Sequence, residues 1–119
     1  MPLTVQTRIE DGIVIVDLSG PLTLGPSLSA LRQAARDALA SPDIAGIILR
    51  VGSVTNVDSS GLSELTIVYT AASKRGCPMR LLNVNPNLQK MLVVTHLNGL
   101  LVSAQDMAQA KREMQARPR

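Results

Sequence analysis

Aromatic side chains are almost missing from this sequence. Its 119 residues include no phenylalanine, no tryptophan and a single tyrosine, Tyr69. Any core must therefore be aliphatic, and the stacking platforms that single-stranded nucleic-acid binders use are lacking. Cysteine is as scarce: Cys77 stands alone, which excludes an intramolecular disulfide and suits a reducing compartment. No apolar run approaches the ~20 residues needed to cross a bilayer. The opening residues Met1-Pro2-Leu3-Thr4 carry neither the basic nor the apolar stretch of an export signal. These absences predict a cytoplasmic protein with no membrane insertion. The length predicts one domain, residues 1–119, burying ~65–70% of its extended-state surface without help from disulfide or metal.

Charge of one sign is concentrated rather than spread. The formal net charge is +3, yet residues 1–110 carry eight Lys/Arg against eight Asp/Glu. The excess lies in Lys111, Arg112, Arg117 and Arg119, opposed only by Glu113. A neutral body with a basic tail is not the footprint of a nucleic-acid-binding domain, so no direct nucleic-acid partner is expected. Cations near the end of a terminal helix also meet its negative dipole end. The tail therefore reads as a solvated helix end, frayed over residues 116–119, with a core of residues 3–115.

What is present is an alternation of strand and helix patterns. Leu3, Val5, Thr7 and Ile9 alternate with polar residues, as a half-buried strand would. Asp11-Gly12 is a hairpin signal, and residues 13–18 are almost continuously apolar, as in a strand covered on both faces. Gly20-Pro21 is expected to end that strand. Pro26 suits a helix start, with Leu28, Leu31, Ala35 and Ala38 at helical spacing until Ser41-Pro42. Residues 44–51 form a second buried-strand pattern. Asp58 is placed to cap a helix whose apolar face is Leu62, Leu65, Tyr69 and Ala72, and Lys74, Arg75 and Gly76 supply a cationic last turn and a stop. Residues 79–84 read as a strand, Asn85-Pro86 starts a helix bearing Leu88, Met91 and Leu92, and residues 100–103 read as a short strand. Ser103-x-x-Asp106 resembles a capping box before a helix starting near Gln105. The order predicts an α/β fold: a central mixed sheet of four or five strands, largely parallel, flanked by about four helices, with the first strand antiparallel at an edge.

Enzyme chemistry has little to build on. His96, the only histidine, sits at the end of a short apolar helix and reads as structural. There is no G-x-S-x-G elbow, because Val57 stands where the first glycine belongs. No Cys/His spacing suits a metal and no glycine-rich loop suits a phosphate, so neither catalytic residues, metal nor cofactor are expected. Cys77, between Gly76 and Pro78, has no activating histidine nearby in sequence and reads as an ordinary thiol.

One segment stands apart, Asn56-Val57-Asp58-Ser59-Ser60-Gly61-Leu62. It joins a buried strand to a helix, at the edge where open α/β sheets collect their sites. Two readings remain open. In one it is only local structure: Asp58 caps, Ser59 and Ser60 fill the first turn, and Gly61 permits close packing. In the other, a serine hydroxyl at the helix N-terminus is phosphorylated, where free N–H groups and the positive dipole end accept the charge.

The residues Val57-Asp58-Ser59-Ser60-Gly61-Leu62 resemble the D-S-[ST]-G-L signature of STAS domains, named for sulphate transporters and anti-sigma factor antagonists. The likeness extends over roughly residues 3–115. Residues 12–20, GIVIVDLSG, resemble the family's second strand. IAGIIL at 44–49 is similar to the strand before the signature, and LLNVNP at 81–86 and HLNGL at 96–100 resemble later elements. The resemblance implies a bacterial anti-sigma factor antagonist. In such proteins the serine directly after the aspartate is phosphorylated by a partner that is both serine kinase and anti-sigma factor. The unphosphorylated form binds that partner and releases the sigma factor, and a phosphatase resets the switch. By position the acceptor is Ser59, with Asp58, Ser60 and Gly61 shaping the loop. Many members carry an acidic residue after the G-x-L that ends the second strand; here Gly20-Pro21-Leu22 is followed by Thr23. Asn56 stands where an apolar residue is common. The implied protein is a monomer or weak dimer. The alternatives are the soluble STAS component of a phospholipid ABC transporter, docking on its ATPase subunit, and a small-molecule or nucleotide sensor.

Overall fold

Asp11 and Gly12 adopt φ of 56° and 76°, as the twist of a two-residue type I′ hairpin requires. This is seen in the computed structural model of the chain, which describes residues 2–115. The turn closes strand β1 (Thr4–Glu10) against β2 (Ile13–Leu22) in antiparallel register, with Glu10 opposite Ile13 and Thr4 opposite Ser19. Strand β3 (Gly46–Val57) pairs parallel with β2, β4 (Met79–Leu82) with β3, and β5 (Ser103–Ala104) with β4. The sheet has five strands in the order β1-β2-β3-β4-β5. The helices are α1 (Ser29–Leu39), entered through a 3-10 turn at Pro26–Leu28, then α2 (Ser59–Lys74), α3 (Pro86–Val94) and α4 (Met107–Gln115). This is the mixed α/β architecture that the alternation of patterns predicts.

The continuous apolar run in β2 is explained by cover on both faces. Val14, Val16 and Leu18 of β2, with Ile47 and Leu49 of β3, join Leu31 and Ala35 of α1, Leu65 and Val68 of α2, and Leu88 and Leu92 of α3 in one cluster. Ile13, Ile15, Ile48 and Leu82 point the other way, onto Ala110 and Met114 of α4. Each fully buried aliphatic side chain contributes about 1.5–3 kcal/mol of transfer free energy. The edge strand is less well covered than its alternation predicts. Leu3 is buried and Val5 half-buried, but Thr7 and Ile9 on the same face are exposed.

Both central strands outrun their expected ends, and this sets the site. Gly20-Pro21 does not stop β2. Register shifts between Asp17 and Ser19 and between Gly20 and Leu22 absorb the proline, which lacks an N–H for the ladder. Gly20 takes φ 98° there. With β2 extended, β3 gains a partner beyond residue 51, pairing Gly20 with Val54 and Leu22 with Val57. The two strands thus deliver Leu22 and Val57 side by side at the start of α2.

Elsewhere the boundaries shift by smaller amounts. Strand β4 stops at Leu82, because Asn83 turns into φ 64°. Strand β5 occupies residues 103–104, since the Leu100 and Leu101 amides both donate to the Leu97 carbonyl in a turn. Helix α4 starts at Met107 rather than near Gln105. Ser103 is in a strand and caps nothing. Asp106 accepts from the Gln109 amide at 2.7 Å, and Gln109 Oε1 accepts in return from the Gln105 amide at 2.8 Å, a reciprocal cap. Tyr69, expected on the buried face of α2, is half-buried, and Val68 takes the core position. The frayed tail, residues 116–119, lies outside the described residues.

Candidate functional site

Asp58 organises the junction of β3 and α2. Its backbone is extended, at φ −117° and ψ −175°, as an N-cap requires. One carboxylate oxygen, Oδ1, accepts from the Gly61 amide at 2.9 Å. The other, Oδ2, accepts from the Leu24 amide at 3.0 Å, 34 residues away in sequence. The Asp58 amide in turn donates to the Leu22 carbonyl at 3.3 Å. One side chain therefore satisfies an orphan donor of α2 and pins the β2–α1 loop to the same spot. The Leu24 amide, then the Gly61 amide, hold the Asp58 carboxyl below the ordinary range, because both hydrogen bonds favour the charged form.

Gly61 is there for space. A Cβ on it would lie 1.9 Å from the Leu22 carbonyl oxygen and 2.8 Å from its carbon. These are backbone atoms that cannot step aside, so no larger residue fits without parting α2 from the end of β2. Thr23, between Leu22 and Leu24, is consequently held beside the same helix end and is half-buried, while Leu24 is 78% exposed. The structure thus brings Thr23, Asp58, Ser59, Ser60 and Gly61 together, with Asp58 as the tie.

The two serines differ. Ser59 is the first residue of α2 and is exposed; Ser60 is half-buried. Ser59 also stands at the mouth of a largely apolar groove of about 500 Å³, lined by Leu62, Ser63, Thr66 and Ile67 along α2 and by Thr95 and Leu97 past the end of α3. With the cap supplied by Asp58, an exposed hydroxyl is left at a helix N-terminus whose amides and dipole favour an anionic group.

The other chemistry-bearing residues lie elsewhere. His96 is exposed at φ 61°. Its amide donates to Val93 and that of Leu97 to Leu92, so it fills the left-handed closing position of α3. Cys77 is buried and its thiol donates to the Ile44 carbonyl at 3.3 Å. Among the described residues, no three His, Cys, Asp or Glu gather as metal ligands. No described helix is long and apolar enough to cross a membrane. Asn56 is exposed within β3, its side chain accepting from the Thr55 hydroxyl at 3.0 Å.

Two participants escape sequence reasoning. Leu24 is tied in by its backbone amide, for which no side-chain signal exists. Glu64 is the buried charged residue of α2, paired across to Arg32 of α1, whose Nε lies 3.3 Å from Oε2. Its signal was a charge placed one residue before Leu65 on the apolar face.

Comparison with known proteins bears on this arrangement. The family model for the STAS domain matches residues 4–110. No curated protein matches the sequence. The fold is similar to that of an anti-sigma factor antagonist from Mycobacterium paratuberculosis, with 19% identity and a TM-score of 0.78 over 95% of this chain and 94% of that one. It is similar to the Bacillus cell fate determinant SpoIIAA in its phosphorylated form, with 19% identity and a TM-score of 0.71 over 92% of this chain and 99% of that one. It also resembles part of the murine anion transporter Solute Carrier 26 family member A9, with 15% identity and a TM-score of 0.78 over 98% of this chain but 22% of that one.

Proposed function

We propose that this chain, which belongs to the STAS domain family, acts as an anti-sigma factor antagonist switched by phosphorylation of Ser59. Its partners are a protein that is both serine kinase and anti-sigma factor, and a phosphatase that resets it. The chain is a cytoplasmic one-domain binding module, needs no cofactor and catalyses nothing itself. The observation that carries this reading is the division of labour in the loop. Asp58 spends both carboxylate oxygens on amides, Gly61 is fixed by space, and Ser59 alone presents an exposed hydroxyl directly after the aspartate.

A phosphate on Ser59 would sit at the positive end of α2 and leave the fold intact. It would add nearly two negative charges beside Asp58 and Leu24, on the surface a partner must cover. Burying an unpaired charge in an interface typically costs ~2–5 kcal/mol, roughly 30- to several-thousand-fold in affinity. Ser59→Ala is expected to keep partner binding and lose phosphorylation; Ser59→Asp is expected to weaken binding with the fold retained. The test incubates wild type and Ser59→Ala with the co-purifying kinase and ATP and maps phosphate by mass spectrometry. Labelling of Ser59→Ala equal to wild type would move the acceptor elsewhere. Wild type that no co-purifying kinase labels would leave the loop as a docking surface, as in the transporter alternative.

A further inference from the structure

We infer that the cleft between α1 and α2, at the helix ends remote from Ser59, docks an acidic amphipathic helix of a partner protein. The cleft encloses about 420 Å³. Ala35 and Val68 close its bottom, and the half-buried Ile67 and Ala71 line its wall. Its rim is cationic. Arg36 stands in the last turn of α1, and Lys74 and Arg75 stand at the end of α2; all three are exposed. None of the three joins an ion pair among the described residues. A fourth cation, Arg32, is neutralised by Glu64. The neighbouring Asp37 is held by Gln33 on its own helix, at 2.8 Å.

The net field there is positive. Helices α1 and α2 follow strands of a parallel pair and pack on one face of the sheet, so their C-termini lie at the same end. Each C-terminus carries roughly −0.5 charge. Together they offset about one of the three unpaired cations, and the Asp37 carboxylate, whose partner Gln33 is neutral, offsets another, which leaves a net of about one positive charge. The sequence as a whole hides this patch, because residues 1–110 are neutral; folding brings Arg36, Lys74 and Arg75 to one end, with Asp37 the acid beside them.

Shape and charge select the occupant. A cleft between two helices with an apolar wall of Ile67 and Ala71 fits one face of a helix, with acidic positions beside the rim cations, in the helix-in-groove mode. A membrane surface is met by a protruding apolar face rather than a recess, and a nucleic-acid strand finds no aromatic to stack on. Ser59 starts α2 and the rim cation Lys74 ends it, about 22 Å apart at 1.5 Å per residue, while Thr66 and Ile67, midway, line both this cleft and the groove beside Ser59. A phosphate on Ser59 would leave the rim cations Arg36, Lys74 and Arg75 untouched.

The probe is a fluorescein-labelled synthetic helix of about 14 residues, with leucines on one face and glutamates on the rest. It is titrated into wild type at ~50 mM salt and again at ~0.5 M. Expected are binding that weakens with salt, amide shifts at Ile67, Ala71 and Arg36, and at least about tenfold weaker binding to Arg36→Glu/Lys74→Glu. The reversed variant is expected to gain affinity for the lysine version of the same peptide. Since a glutamate at a helix C-terminus is itself destabilising, Arg36→Gln/Lys74→Gln serves as the milder pair and should show the same loss with an unchanged circular dichroism spectrum. Absence of binding by wild type, shifts centred elsewhere, or undiminished binding by the glutamine pair would overturn the assignment. So would capture by phosphatidylglycerol vesicles with no response to the peptide. Ser59 is untouched throughout, so these outcomes do not depend on the switch.

Discussion

Under α1, α2 and α3, the sheet buries Val14, Val16, Leu18, Ile47, Leu49 and Leu81 against the helices' leucines in one continuous cluster. On the opposite face, among the described residues, α4 covers Ile13, Ile15, Ile48 and Leu82, chiefly through Ala110 and Met114. That smaller contact is reinforced by charge: the Lys111 ammonium reaches Glu10 at 2.9 Å and Asp11 at 3.2 Å across the hairpin. The first face is held by area, which neither salt nor pH alters much. The second is held by a few apolar contacts and a polar tether, which both conditions alter. The loop that carries Asp58 and Ser59 is built on the end of the first face, where Leu22 and Val57 are paired.

The comparison is broken most directly by truncating one core residue on each face. Leu65, fully buried under the first face, should cost about 3–5 kcal/mol as Leu65→Ala, seen in urea denaturation as a lower midpoint for the whole domain. Met114→Ala should cost about 2 kcal/mol, since methionine is flexible and a cluster near the surface collapses more readily. Hydrogen exchange should then rise first in α4 and remain slow in α2. Equal costs, or exchange that rises everywhere together, would show the two faces to be one cooperative unit.

Gly61 sharpens the comparison at the end of the stronger face. Gly61→Ala brings a methyl onto the Leu22 carbonyl, and overpacking against backbone costs about 3 kcal/mol. The Leu24 amide should lose its hydrogen bond to Asp58 and exchange faster, because α2 must draw away from β2. A crystal structure of the variant with that bond intact would show that the loop, and not the strand end, gives way.

Much of this was legible beforehand, and the reasons are local. Asp11-Gly12, the Asp58 cap and the Asn85-Pro86 start are short-range devices whose chemistry is complete within four residues. The family signature spans the β3–α2 junction, where its aspartate caps the helix and its glycine meets the Leu22 carbonyl. What was not legible depends on partners distant in sequence. The extension of β2 and β3 required each strand to supply the other's ladder. The tie between Asp58 and Leu24 spans 34 residues through a backbone amide. Lys111, which reads in the sequence as part of a solvated basic end, bonds to the hairpin about 100 residues earlier. The cationic cleft, likewise, arises only when α1 and α2 lie side by side.

The smallest expected effect isolates the tether. Arg8 first, then Lys111, holds the Glu10 carboxyl down from 4.5 to about 2, each by a hydrogen bond to the charged form. A carboxyl whose folded value is depressed binds its proton less readily than in the unfolded chain. Its contribution is therefore complete above about 4.5 and is lost as pH falls toward about 2. Glu10→Gln removes that contribution and leaves the apolar cluster of α4 with the Lys111–Asp11 and Arg80–Glu113 pairs. The measurement is the gap in Tm between wild type and Glu10→Gln. The gap should be open near neutral pH, close as the solution is acidified through that window, and shrink in high salt because the groups are exposed. Lys111→Met should reproduce only part of it, since Arg8 remains. A gap that survives below about 2 would mean that the Glu10 side chain acts by packing. With no gap at neutral pH, Glu10 would drop out of the tether, leaving Ala110, Met114 and the Lys111–Asp11 and Arg80–Glu113 pairs to hold α4.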